Sequence, residues 1–163
     1  MSQPYVLIVD DDSDLLQELP EALRLRMSGV MVDTAVSVAA ALDRIAAHDY
    51  DAIVTEIKMP GMDGFALLAQ IHARQPDTPI LLITGHGEYD LAVRALRGGA
   101  YDFIEKPIDR DHAVAAIHRA IRAHLLKRRA KDRQLALERC ANELEGIVEK
   151  LAKSARTPVR GAP

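Results

Sequence analysis

The chain has 163 residues, 48% hydrophobic and 28% charged, which is enough for one ordinary domain plus an appendage and too apolar for a disordered polymer. Its longest apolar runs, such as Ile80 to Ile83, fall far short of a membrane span, and no basic n-region with an apolar h-region precedes Tyr5. The one cysteine, Cys140, excludes an internal disulfide, so a cytoplasmic protein without a secretory signal is expected. Residues 1–126 carry 11 Lys/Arg against 19 Asp/Glu, a net −8, whereas residues 127–163 carry 10 against 5, a net +5. An acidic body and a basic tail predict separate jobs.

Tyr5 to Val9 is a continuous β-branched, apolar run ending in Asp10-Asp11-Asp12, the pattern of a buried parallel strand. Asp12 or Ser13 can cap the helix that follows, with Leu15, Leu16, Leu19, Leu23 and Met27 as its stripe, and Pro20 is expected to kink it. After Gly29, Val30, Val32 and Thr34 alternate with Met31 and Asp33 as a second strand. Ser37 opens a helix reaching Ala47, and Ala52 to Thr55 is a third strand leading into a loop at Glu56.

Phe65 to Arg74 is a helix closed by Pro76 and Pro79. Ile80 to Ile83 forms the most hydrophobic strand, ending at Thr84-Gly85-His86-Gly87. A helix from Tyr89 to Leu96 stops at Gly98-Gly99, and Asp102 to Glu105 is a fifth strand before Lys106-Pro107. A last helix starts near Asp109 and reaches about Ala155. Five strands alternating with helices predict a three-layer α/β domain with a parallel sheet. The boundaries read as a body over 1–126, a projecting helix over 127–155 and a disordered tail over 156–163.

In an open parallel sheet, ligands gather at the carboxyl ends of the strands. Asp10, Asp11, Glu56, Thr84 and Lys106 all fall at such ends. Crowded carboxylates raise one another's pKa unless a cation intervenes, and hard oxygen donors of this kind suit Mg²⁺. A hydroxyl and a mobile ammonium suit the oxygens of a transferred phosphoryl group. Taken singly, an acidic pair after a strand is also what a helix N-terminus favours. The ordered occurrence at separate strand ends is what points to a site.

Val6-Leu7-Ile8-Val9-Asp10-Asp11, Lys58 to Gly64, Leu82-Ile83-Thr84-Gly85 and Ala100 to Pro107 together resemble four motifs of bacterial response-regulator receiver domains, in register over residues 4–126. The wording from Thr84 to Pro107 is most similar to receivers of nitrogen-regulatory-class transcription activators. The resemblance implies a doubly wound, flavodoxin-like fold and a sensor histidine kinase or phosphotransfer protein as partner. It implies that Asp11 ligates Mg²⁺ directly, Asp10 mostly through water, and Lys58 through its backbone carbonyl, leaving the Lys58 side chain free to vary. Thr84 and Lys106 would hold phosphoryl oxygens. Phe103 would rotate with Thr84 and remodel the face of the fourth helix, fifth strand and fifth helix. The Lys106–Pro107 peptide would be cis.

Glu56 stands where that family has its phosphoacceptor aspartate. The aspartate attacks phosphorus, and displacing reacting atoms by about 1 Å costs on the order of 100-fold. Poor phosphorylation is therefore expected, with Glu56 reaching toward Lys106 or Thr84 in partial imitation of the activated state. A phosphomimetic, a degenerate receiver and a neutral change that keeps Mg²⁺ binding all stay open.

Leu137, Cys140, Leu144, Ile147 and Leu151 are spaced 3, 4, 3 and 4 apart, the seam of a coiled coil, which predicts a parallel homodimer through this helix. The run Lys127 to Arg133 is read as a solvated basic face, with no nucleic-acid partner expected. A constitutive pseudo-receiver scaffold is one alternative. Another is a phosphatase resembling the haloacid-dehalogenase family, with Asp10 as nucleophile and Asp12 as acid/base. The second departs from that motif at Asp14 and lacks its late acidic motif. No G-x-x-x-x-G-K loop occurs, so a stand-alone regulator and the front of a longer protein both remain open.

Overall fold

The computed structural model describes residues 3–156 together with Pro158 and Gly161. The chain divides into two compact units, Met1–Leu125 and Leu126–Pro163. In the first unit, β1 (Tyr5–Val9), β2 (Met31–Ala35), β3 (Ala52–Glu56), β6 (Ile80–Thr84) and β7 (Asp102–Glu105) form a parallel sheet in the order β2-β1-β3-β6-β7. Between them run α1 (Ser13–Arg26), α2 (Val38–Ala47), α3 (Gly64–Arg74) and α4 (Tyr89–Arg97), and α5 (Arg110–Arg156) follows β7 and continues into the second unit. This is the five-stranded, doubly wound, flavodoxin-like arrangement expected, with a long C-terminal helix.

The period-two alternation of the strands splits the core into two layers. Leu7, Val9, Ile53, Ile80 and Leu82 pack with α2, α3 and Ala95 of α4. Val6, Ile8, Val54, Leu81 and Ile83 pack on the opposite face with Leu19 and Leu23 of α1 and with Ala113, Ala116, Ile117 and Ile121 of α5. Both faces of the central strands are therefore dry, which is why β1 and β6 read as unbroken apolar runs.

Asp12 caps α1 through bonds from the Asp14 and Leu15 N–H groups, and Ser37 caps α2 through the Ala40 N–H. Pro20 lies within α1 without dividing it. A two-stranded antiparallel hairpin, β4 (Lys58–Met59) with β5 (Met62–Asp63), follows Glu56 where the sequence reads only as a loop. Pro60 and Gly61 form its turn, and Gly61 adopts φ 88°, a value that a side chain would strain.

In the second unit, α5 continues without interruption to Arg156, one residue beyond the expected end. Leu137 is 70% exposed, Leu144 62% and Leu151 65%, so this apolar stripe is uncovered in the single chain. Of the expected disordered tail, Arg156 is helical, and Thr157, Val159, Arg160, Ala162 and Pro163 lie outside the described residues. Among the described residues, no helix is long and apolar enough to cross a membrane.

Candidate functional site

Parallel register brings the strand ends to one edge of the sheet. Asp10 follows β1, Glu56 closes β3, Thr84 closes β6, and Lys106 follows β7. Glu56 pairs in register with Ile83, and Thr84 with Glu105, so these ends sit side by side. Asp10, Asp11 and Glu56 each place a carboxylate oxygen within 4.8 Å of the others.

Asp10 is fully buried. Its Oδ1 accepts the Asp12 N–H at 2.8 Å, while Oδ2 makes no hydrogen bond and lies 3.6 Å from Lys106 Nζ. Lys106 Nζ donates to Glu56 Oε1 at 2.9 Å, so one ammonium serves two carboxylates. Burial, reinforced by the charge of Asp10, pushes the Glu56 carboxyl up to about 7, although Lys106 pulls against it. Burial works to lower the Lys106 ammonium, but the Glu56 hydrogen bond and the charges of Asp10 and Glu56 outweigh it and hold it above its ordinary value.

This donor set fits a hard divalent cation. Three carboxylates converge, and a buried carboxylate oxygen without a hydrogen bond is the group a cation would satisfy. Of the residues singled out from sequence, Asp10, Asp11, Glu56 and Lys106 come together. Thr84 is buried at the end of β6 but makes no hydrogen bond to Glu56. Phe103 lies half-buried on β7 opposite Leu82, and Lys106–Pro107 is cis. Asp12, the acid/base of the phosphatase alternative, has its carboxylate engaged in capping α1.

Two participants carry no local signal in the sequence. The Lys58 ammonium pairs with Glu88, and Glu88 also accepts the Gly85 N–H at 2.9 Å. Glu105 accepts the Gly87 N–H at 3.1 Å. The one available hint is the pair of glycines after Thr84, since such a loop needs side-chain anchors to fix its path.

The response regulator receiver domain family profile matches residues 6–118. The chain belongs to this receiver family. It is 42% identical over 146 residues to the C4-dicarboxylate transport transcriptional regulatory protein DctD of Pseudomonas aeruginosa, covering 89% of this chain and 31% of that one. It is 38% identical over 135 residues to the DNA-binding transcriptional regulator NtrC of Escherichia coli K12, covering 83% of this chain and 28% of the relative. The receiver chain thus spans about a third of the length of these curated relatives. Among solved structures, it matches NtrX from Brucella abortus with a TM-score of 0.74 at 35% identity, over 80% of this chain and 29% of that one. A receiver domain from Clostridium thermocellum matches with a TM-score of 0.69 at 30% identity, over 76% of this chain and 98% of that one.

Proposed function

We propose that this chain is the signal-receiving module of a cytoplasmic two-component response regulator whose phosphoacceptor position is held by Glu56. The observation that carries the reading is the Lys106–Glu56 contact at 2.9 Å beside the buried Asp10 carboxylate. In this reading Asp10, Asp11, Glu56 and the Lys58 backbone carbonyl hold Mg²⁺, which neutralises charge on a phosphoryl group or on the carboxylates that stand in for it. Thr84 and Lys106 supply the hydroxyl and ammonium for phosphoryl oxygens. The ion pair to Lys106 supports a Glu56 that partly occupies the phosphoryl position.

A competent receiver carboxylate attacks phosphorus, forming a carboxylate O–P bond as the bond from phosphorus to the donor breaks. Glu56 has the nucleophile but carries it one C–C bond too far from its backbone, so the chain is not an efficient phosphoacceptor. Its partners are a sensor histidine kinase or phosphotransfer protein and a second copy of itself. The exposed Leu137, Leu144 and Leu151 stripe supports a parallel coiled-coil homodimer. Output passes through the face of α4, β7 and α5, with Phe103 and Thr84 as the switch pair.

Calorimetric titration with Mg²⁺ tests the site. Heat of binding that is lost in Asp11→Asn supports the reading, and equal heats in the two proteins overturn it.

A further inference from the structure

The Glu88 carboxylate joins two segments that leave the neighbouring ends of β3 and β6, beyond the last paired residues of those strands. Its Oε1 pairs with the Lys58 ammonium, at the start of the hairpin that follows Glu56. Its Oε2 accepts the Gly85 N–H at 2.9 Å, in the loop between Thr84 and α4. A Cβ at Gly85 would lie 3.0 Å from that same oxygen, so the carboxylate rests directly on the loop backbone. From the other side, Glu105 accepts the Gly87 N–H and lies 3.1 Å from His86 Nδ1.

Gly87 adopts φ 78°, and a loop with glycine at 85 and 87 has little preference for one path. Side-chain anchors must therefore choose it. Glu88 occupies the N-cap position of α4, yet makes no capping bond to that helix. The first turn of α4 lacks its usual local anchor, and the carboxylate that would supply it is committed to Gly85 and Lys58.

We propose that Lys58 and Glu88 form a latch that fixes the loop from Gly85 to Glu88, and with it the first turn of α4, to the segment following Glu56. Lys58 is a positioning residue: its side chain acts on α4 through Glu88. The exposed apolar residues Tyr89, Val93 and Leu96 on α4 take their placement from this latch. A change in the segment after Glu56 would thereby reach a surface helix without passing through the core.

The test is native-state hydrogen exchange by NMR on the full chain, without metal or phosphoryl donor, so its outcome is independent of the proposed function. The readout is exchange at Gly85 to Ala92 relative to exchange at Ile80 to Ile83. Lys58→Met keeps the aliphatic stem and the Glu88–Gly85 bond, and is expected to raise that ratio about threefold, the scale of an exposed ion pair. Glu88→Ala removes both contacts and is expected to raise it about tenfold. The proposal is overturned if Lys58→Met leaves the ratio unchanged: the Gly85 bond alone then holds the loop if Glu88→Ala raises it, and neither contact does if Glu88→Ala leaves it unchanged too.

Discussion

The Lys106 ammonium reaches the Glu56 carboxylate at 2.9 Å across the end of β6, the strand that lies between theirs. The same nitrogen is 3.6 Å from Asp10 Oδ2, a fully buried oxygen with no hydrogen bond of its own. Lys106 is therefore the counter-charge for two carboxylates. Without it, an acidic site with a buried member would have to fold uncompensated.

Lys106→Met is expected to destabilise the metal-free domain by about 1–2 kcal/mol, a value moderated by the lysine's partial exposure. Urea unfolding measures it. Asp10→Asn in the Lys106→Met background should recover part of the loss, since it removes the buried charge left unpaired. Additive losses in the double variant would show that the two groups do not interact.

Asp33 accepts the Tyr5 hydroxyl at 2.6 Å and the Tyr50 hydroxyl at 2.8 Å, and lies 3.4 Å from Arg44. Burial pushes its carboxyl up, but the two hydroxyls and Arg44 outweigh it and hold it below the usual aspartate value of 3.8. A depressed folded pKa gives stability that is present above about 3.8 and lost as pH falls through the folded value. Asp33→Asn should flatten the acid limb of the stability curve. Burial and Asp33 together raise the Tyr50 hydroxyl, so its contribution is present below about pH 10 and lost in stronger alkali. Unfolding free energies followed against pH check both limbs, and parallel acid limbs for the two proteins would contradict the assignment.

Gly64 opens α3 where its missing Cβ would lie 2.6 Å from Ile57 Cα and 2.7 Å from the Ile57 carbonyl oxygen. Both are backbone atoms of the residue after Glu56, so a side chain there must displace the site loop. Gly64→Ala is expected to cost about 2–3 kcal/mol in urea unfolding and to weaken Mg²⁺ binding. An alanine variant with unchanged stability and metal affinity would show that the loop yields freely.

Much of the fold is legible in the sequence because burial on both sheet faces turns strands into apolar runs. Tyr5–Val9 and Ile80–Thr84 are bounded within one residue by such runs, and Gly98-Gly99 marks the end of α4. The candidate site is legible for a related reason: Asp10, Glu56 and Thr84 end apolar runs, and Lys106 follows the last strand at the corresponding end. The β4–β5 hairpin was not legible, because two-residue strands have no period to read. The Lys58–Glu88 pair and the Tyr5–Asp33–Tyr50 cluster join residues 17 to 30 positions apart through side chains alone. Nothing in the local sequence marks those residues as partners.

The second unit makes a separate prediction. With Leu137, Leu144 and Leu151 exposed along α5, Leu144→Lys should shift the solution mass from two copies toward one in light scattering. Cys140 lies on the same stripe and is exposed. In a parallel, in-register pair its two copies face each other, so mild oxidation should yield a disulfide-linked dimer that Leu144→Lys suppresses. A monomeric parent chain would contradict the coiled coil.

The most direct measurement is intact mass after incubation with acetyl phosphate and Mg²⁺, for this chain beside Glu56→Asp. Glu56→Asp is expected to gain the mass of one phosphoryl group, lost again on mild alkaline treatment as for an acyl phosphate, while the parent chain gains none. Absence of the gain in a folded Glu56→Asp protein would contradict the claim that Asp10, Asp11, Thr84 and Lys106 form a receiver site around position 56.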